Sequence, residues 1–330
     1  MCAGILSRPG LFMKYWFRLH ELSDLWETGL SFSALTTPGN MTPFPPQEPI
    51  RQVNNHYWRD RWQQQKCTCS ANTPNCPGSR CYWSCEKNVR EIYKKSRQSA
   101  SWNRKVATQL AEMNVPAGSR VLDIGAGTGT LAIPLAAGGC RVTVIEPSEP
   151  MREGLAQNQR IAGSPDIVVI PKRWEEVTAE ELGEPYDVVI ASYSLTMTDI
   201  RESLERMQAC CTGTIHLFWF LTPPAWVKVS YALWPQLHGI EYTGEPLADC
   251  LWQVLREMGI YADILVEQKK KPTVYPTIED AVREYYQRLN CSTPAQEMIL
   301  YEYFHSNLQH SAGGYQLPGD SRGAHIRWET

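Results

Sequence analysis

Between Ser119 and Thr222 short apolar runs alternate with helical segments, and this order constrains the fold more than any other feature of the chain. The runs SRVLDI, CRVTVIEPS, DIVVIPKRW, YDVVIASYSL and GTIHLFWFLT are rich in Val and Ile, as strands are. Between them lie LAIPLAAGG, EPMREGLAQNQRIAG, TAEELG and DIRESLERMQACC, which predict helices. Strand and helix in alternation imply crossover connections and a parallel sheet covered on both faces. The expected class is therefore α/β, a doubly wound, mostly parallel sheet. Beyond Thr222, PPAWVKVSYALWPQLHG and GEPLADCLWQVLREMGI predict two more helices, and YADILVEQKKK and GAHIRWET two more strands. A helical insert at about 277–308 separates those strands, and the last of them is expected to close the sheet by antiparallel pairing.

Upstream the texture differs. Residues 1–50 include TTPGNMTPFPPQEPI, whose prolines lack amide donors, and read as a loose arm or linker. Residues 51–87 read as a Cys-rich segment that begins with a short helix, RQVNNHYWRDRWQQQK. The main domain is expected from 88 to 330. Its first helical stretch is basic, with Lys87, Arg90, Lys94, Lys95, Arg97, Arg104 and Lys105, and reads as a solvated face.

Charge and composition exclude several classes of function. With 32 basic and 35 acidic side chains in 330 residues, the net charge of -3 gives no general attraction for nucleic acid. No run approaches the ~18 consecutive apolar residues of a spanning helix, and no secretory leader pattern opens the chain. A cytoplasmic protein without membrane partners is expected.

The glycine turn carries the chemistry. In VLDIGAGTGT, Gly125, Gly127 and Gly129 follow a strand and precede a helix, with Asp123 two places before the first of them. Glycine permits both a sharp turn and the close approach of a ligand. A dinucleotide fingerprint would place its third glycine where Thr130 stands, and its pyrophosphate would be opposed by Asp123. The ligand implied is cationic. Glu146 ends the second strand 23 residues after Asp123, where a carboxylate accepts hydrogen bonds from a ribose diol.

VLDIGAGTGTLAIPLA followed by VTVIEPS resembles the class I S-adenosylmethionine (SAM)-dependent methyltransferase family. The resemblance implies a Rossmann-like seven-stranded sheet with an antiparallel last strand, and SAM as cofactor. It implies that Asp123, Gly125, Gly127, Gly129 and Thr130 surround the methionine moiety, that Glu146 holds the ribose, and that Pro147 and Ser148 border the adenine. Arg173 and Trp174 would lie near the adenine amine. Ala191 and Ser192 would form the cofactor floor, with Tyr193 and Ser194 directed to the acceptor as candidate catalytic residues. Methyl transfer from a sulfonium is an in-line displacement that chiefly requires alignment and exclusion of water. Position 191 onward reads ASYSL, without the Asn/Asp-Pro-Pro-aromatic pattern of enzymes acting on base or amide nitrogens. A small-molecule acceptor is therefore expected. A protein or RNA acceptor, or a non-catalytic SAM- or metal-binding module, stand as alternatives.

Five of the eleven cysteines, Cys67, Cys69, Cys76, Cys81 and Cys85, fall within nineteen residues. Four thiolates suit structural zinc or an iron–sulfur cluster, so these five are candidate metal ligands.

Overall fold

The structure is a computed structural model, and it describes residues 56–72, 100–269 and 272–330. All belong to one compact unit, Val53–Thr330. The helices are α1 (Tyr57–Asn72), α2 (Ala100–Met113), α3 (Ala132–Ala137), α4 (Glu149–Ala162), α5 (Ala179–Leu182), α6 (Ile200–Ala209), α7 (Ala225–His238), α8 (Ala248–Glu257), α9 (Ile278–Arg288) and α10 (Pro294–Asn307). The main strands are β1 (Arg120–Ile124), β2 (Arg141–Ile145), β3 (Val168–Ile170), β4 (Tyr186–Ser192), β5 (Cys211–Phe220) and β6 (Asp263–Lys269). Short strands β7 (Thr273–Tyr275), β8 (Gln309–Ser311) and β9 (Gly314–Leu317) precede a long β10 (Ser321–Glu329).

Seven strands form one sheet in the order β3-β2-β1-β4-β5-β10-β6. β1 to β5 pair in parallel, and β10 runs antiparallel between β5 and β6. This is the doubly wound, mostly parallel sheet with an antiparallel last strand that the alternation predicts. The order reverses at β1 and β4, which leaves a crevice above their carboxyl ends, where open α/β sheets take ligands.

Alternate side chains of the central strands feed two cores. On one face Leu122, Val189, Ala191, Ile215 and Leu217 meet Ile200, Leu204 and Met207 of α6, Leu251, Val254 and Leu255 of α8, and Trp62 of α1. On the other, Val121, Ile190 and Phe218 meet Met113 of α2, Leu131, Ala132 and Leu135 around α3, and Leu155 of α4. Burial on both faces explains why these strands read as continuous apolar runs rather than alternating ones. Helix starts follow local capping: Asp199 accepts the Glu202 amide ahead of α6, Thr277 accepts the Asp280 amide ahead of α9, and Thr293 with Gln296 forms a reciprocal box ahead of α10.

The segment between β6 and β10 holds the expected helical insert as two helices, α9 and α10, broken at Leu289–Thr293, and also a three-stranded antiparallel sheet in the order β7-β9-β8. The small sheet is absent from the sequence reading because its strands span three or four residues, too few to show a period. With α7 these elements build a third core around Trp234, Tyr285, Leu300 and Phe304, in which the Tyr285 and Phe304 rings lie 4.9 Å apart.

The short helix expected to end near residue 66 continues through Asn72, so Cys67 and Cys69 lie within α1. Cys76, Cys81 and Cys85 lie outside the described residues. No helix among those described is long and apolar enough to cross a membrane.

Candidate cofactor-binding site

The three glycines of the turn between β1 and α3 all have positive φ, at 72°, 58° and 82° for Gly125, Gly127 and Gly129. Their reasons differ. A side chain on Gly125 would collide with Ser194, and one on Gly129 would meet Leu155 and come within 2.8 Å of Ile133 Cδ1. Packing alone therefore requires those two. At Gly127 an added Cβ would touch only Met151 Sδ, at an ordinary 3.8 Å, so packing leaves room there. Gly127 forms the open part of the cradle.

Two carboxylates face this turn from neighbouring strands. Asp123, one residue before the end of β1, is 2% exposed, and burial reinforced by the nearby Glu146 pushes it up to about 7. Glu146, directly after β2, is 6% exposed and is also raised by burial, against the opposing effect of its backbone hydrogen bonds. Its two oxygens accept the Gly127 amide at 2.8 Å and the Ser148 amide at 2.9 Å, which ties the end of β2 to the turn. A carboxylate offers about four acceptor positions. Two thus remain for a diol. Arg152 of α4 donates to the Glu146 and Pro147 carbonyls, at 3.0 and 2.7 Å, and fixes the start of that helix.

A buried pair of like charges is unfavourable, and a ligand bearing positive charge would relieve it. The donor set thus fits a group with an ammonium or sulfonium near Asp123 and hydroxyls near Glu146. It does not fit a diphosphate.

The remaining residues singled out from the sequence distribute as follows. Thr130 is half-buried at the end of the glycine turn, Pro147 is exposed, and Arg173 is half-buried with its amide donating to Glu176. Trp174 is 2% exposed, and its indole N–H donates to the Ser203 carbonyl at 3.1 Å, so its polar atom is committed to the α6 layer rather than to a ligand. Ala191 is fully buried in that same layer, whereas Ser192 turns to the opposite face and its hydroxyl accepts from Gln109 of α2 at 3.4 Å. Ser194 donates its hydroxyl to the Ile124 carbonyl at 2.5 Å and packs against Gly125, which gives it a buttressing place under the turn. Tyr193, at φ 56°, lies against Phe220 with ring centroids 4.8 Å apart. Burial, and secondarily Glu267 and Glu112, raise its phenol above the ordinary value, so it stays protonated at neutral pH.

His216, in the middle of β5, is a core histidine. Its Nδ1 lies 2.9 Å from His325 Nε2, and His325 Nδ1 lies 3.2 Å from a Glu112 carboxylate oxygen. Burial pushes the two imidazoles down to about 3 and about 4, so both are neutral.

Two contributors were not legible in the sequence. Lys105 of α2 sets its ammonium 3.8 Å from the centre of the Tyr193 ring, and Gln109 is 2% exposed. Both sit in a stretch whose composition reads as a solvated face, and only the approach of α2 to β4 brings them to the site. Among the described residues no group of three or more His, Cys, Asp or Glu side chains is arranged to hold a metal ion.

Residues 93–237 match a family model described as a methyltransferase domain. A protein of Haemophilus influenzae described as uncharacterized is 35% identical over 100 residues, which cover 30% of this chain. The match spans 37% of that relative's own length. Among solved structures, the YcgJ protein of Bacillus subtilis is 14% identical, covers 69% of this chain and 98% of its own, and superposes with a TM-score of 0.47. Magnesium protoporphyrin IX methyltransferase from Synechocystis PCC 6803, solved with bound S-adenosylhomocysteine (SAH), is 15% identical over 67% of this chain and 80% of its own, with a TM-score of 0.39.

Proposed function

We propose that this chain, whose residues 93–237 match a methyltransferase-domain family model, is a SAM-dependent methyltransferase that transfers a methyl group from SAM to a small-molecule acceptor. The observation that carries the cofactor assignment is the desolvated pair Asp123 and Glu146 around the open glycine Gly127. A cationic amino-acid moiety would settle against Asp123, the ribose hydroxyls would use the two free acceptor positions of Glu146, and Gly127 would admit the ligand against the backbone.

When bound, SAM supplies an electrophilic methyl on a sulfonium. The chain's own part is alignment and exclusion of water. Asp123 orients the amino-acid end, Glu146 fixes the ribose while tethered to Gly127, and Ser194 supports the turn through Ile124. Ser194 is thus reassigned from a catalytic to a supporting place. Tyr193, held as a phenol beneath Lys105, can donate a hydrogen bond or wall the acceptor, but it cannot act as a resting base at neutral pH. An acceptor that is already nucleophilic, such as a free amine or thiolate, suits this arrangement.

The small-molecule reading is supported by the ASYSL sequence after β4 and by the net charge of -3. For the Cys-rich segment we retain zinc or an iron–sulfur cluster as ligand, on the strength of the five clustered thiols alone.

Calorimetric titration of SAM and SAH into the wild type and the Asp123→Ala and Glu146→Ala variants tests the cofactor assignment. Micromolar binding that both substitutions remove is expected, and a folded wild type that binds neither compound would overturn it. Transfer of a labelled methyl to a panel of amines, thiols and phenols, with RNA and protein fractions beside them, tests the acceptor class.

A further inference from the structure

The contacts of α1 reach the loop that follows β4, although this helix precedes the matched residues. Trp62 is completely buried, and its indole N–H donates to the Met197 carbonyl at 3.0 Å. Arg59 forms an ion pair with Asp199, to which its Nε donates at 3.1 Å. Asp199 in turn caps α6 by accepting the Glu202 amide. The loop from Tyr193 to Asp199 is therefore held from α1 at Met197 and at its far end. Its near end is held by the glycine turn, through the Ser194 bond to Ile124 and the contact of Ser194 with the space that Gly125 leaves.

The same helix fastens a second loop. Lys66, 4% exposed, pairs with Glu245, and Gln65 donates to the Gly244 carbonyl at 2.9 Å. The Trp219 indole donates to the Pro246 carbonyl at 2.7 Å, and its ring centroid lies 6.5 Å from that of Trp62. α1 thus clamps the loop after β4 and the loop before α8, with Trp219 of β5 between them.

We infer that α1 is a strap whose docking positions the loop after β4 against the glycine turn, with Trp62 as the central positioning residue, so that docking of α1 and binding of cofactor are coupled. The inference rests on the cofactor assignment above, since it is the ligand on the glycine turn that would sense the loop. Ser194 is the physical link: it touches the turn on one side and belongs to the strapped loop on the other. Coupling is reciprocal, so a strap that favours cofactor must itself be held more tightly when cofactor is bound.

Two measurements on the full chain test this. In calorimetric titrations with SAH, Trp62→Phe keeps an aromatic ring but removes the bond to Met197 together with part of the indole's volume, and is expected to bind about tenfold more weakly, as loss of one buried hydrogen bond to the loop implies. Trp252→Phe serves as control. It likewise trades an indole for a phenyl and removes an indole bond, to the Ala262 carbonyl at 3.2 Å, that touches neither clamped loop, and should bind within about twofold of wild type. In hydrogen–deuterium exchange of the wild type, saturating SAH should slow exchange across Tyr57–Gln65. This second readout needs no variant and stands if Trp62→Phe fails to fold. A folded Trp62→Phe that binds SAH as tightly as wild type overturns the inference, as does an α1 whose exchange ignores SAH, while the cofactor assignment survives both. A wild type that does not bind SAH removes the cofactor assignment and this inference together.

Discussion

Asp123→Asn should stabilise the unliganded chain at alkaline pH while removing its ligand. In the folded state burial and Glu146 raise Asp123 to about 7 from an ordinary 3.8. A carboxyl whose folded value is raised binds more protons folded than unfolded, so stability is lost as pH climbs from the unfolded value through the folded one. Below pH 3.8 both states are protonated and nothing is lost; above pH 7 the whole penalty is present. At about 1.4 kcal/mol per pH unit, that penalty is about 4 kcal/mol, an upper bound because water or a counter-ion can reach part of the site. An asparagine, of almost the same shape and without charge, escapes it. In urea titrations without ligand, the variant should be about as stable as wild type or slightly more so at pH 5, and the difference should widen by about 2 kcal/mol by pH 8. SAH binding should fall at least a hundredfold, since a charge-assisted contact to the amino-acid moiety is lost. A variant less stable than wild type at pH 8, or a gap that does not grow between pH 5 and pH 8, would refute the claim that the site is strained in readiness for a cation.

Gly129→Ala should destabilise by about 2–4 kcal/mol in thermal or urea unfolding, because its new Cβ must displace Leu155 and Ile133 in addition to adopting φ 82°. Gly127→Ala, which meets no close atom, should cost only about 1 kcal/mol in the same assay yet abolish SAH binding in calorimetry; equal losses of stability at the two positions would contradict the distinction drawn between them. The paired imidazoles His216 and His325 are held down to about 3 and about 4, so the folded chain binds fewer protons than the unfolded one, and stability should decline as pH falls below about 6.5 toward 4. His216→Gln should flatten that decline in urea titrations run from pH 7 to pH 4.5, and an unchanged slope would argue against neutral buried imidazoles.

The centre of the sheet was legible because β1, β4 and β5 are buried on both faces and announce themselves as apolar runs with helices between them. Asp123, Gly127 and Glu146 were legible for a related reason: a strand end followed by glycines, and a carboxylate one strand over, sit where the topology leaves a crevice. Trp174 and Ser194 were placed at the right strand ends but given side-chain directions that only tertiary contacts decide, and both spend their polar atoms on carbonyls. Lys105 and Gln109 carried no signal, since a polar helix looks the same whether it faces water or a half-buried serine. The anchoring of Trp62 was equally hidden, because α1 is mostly polar and its single fully buried indole makes no periodic pattern.

The place of β10 bears on how the chain is made. It pairs along its length with β5 on one side and β6 on the other, yet it is synthesised after both, with an insert of its own between it and β6. Until it emerges from the ribosome, β5 presents an open flank and β6 has no neighbour in the sheet at all. The glycine-turn end of the sheet, β1 to β4, needs no residue beyond β5 for its pairing and can assemble early, whereas the other third must wait with the β6 backbone unpaired. Stalled or truncated translation products lacking β10 would therefore be a poor substitute for the whole chain, prone to clump through those waiting strands and natural clients for chaperones during synthesis.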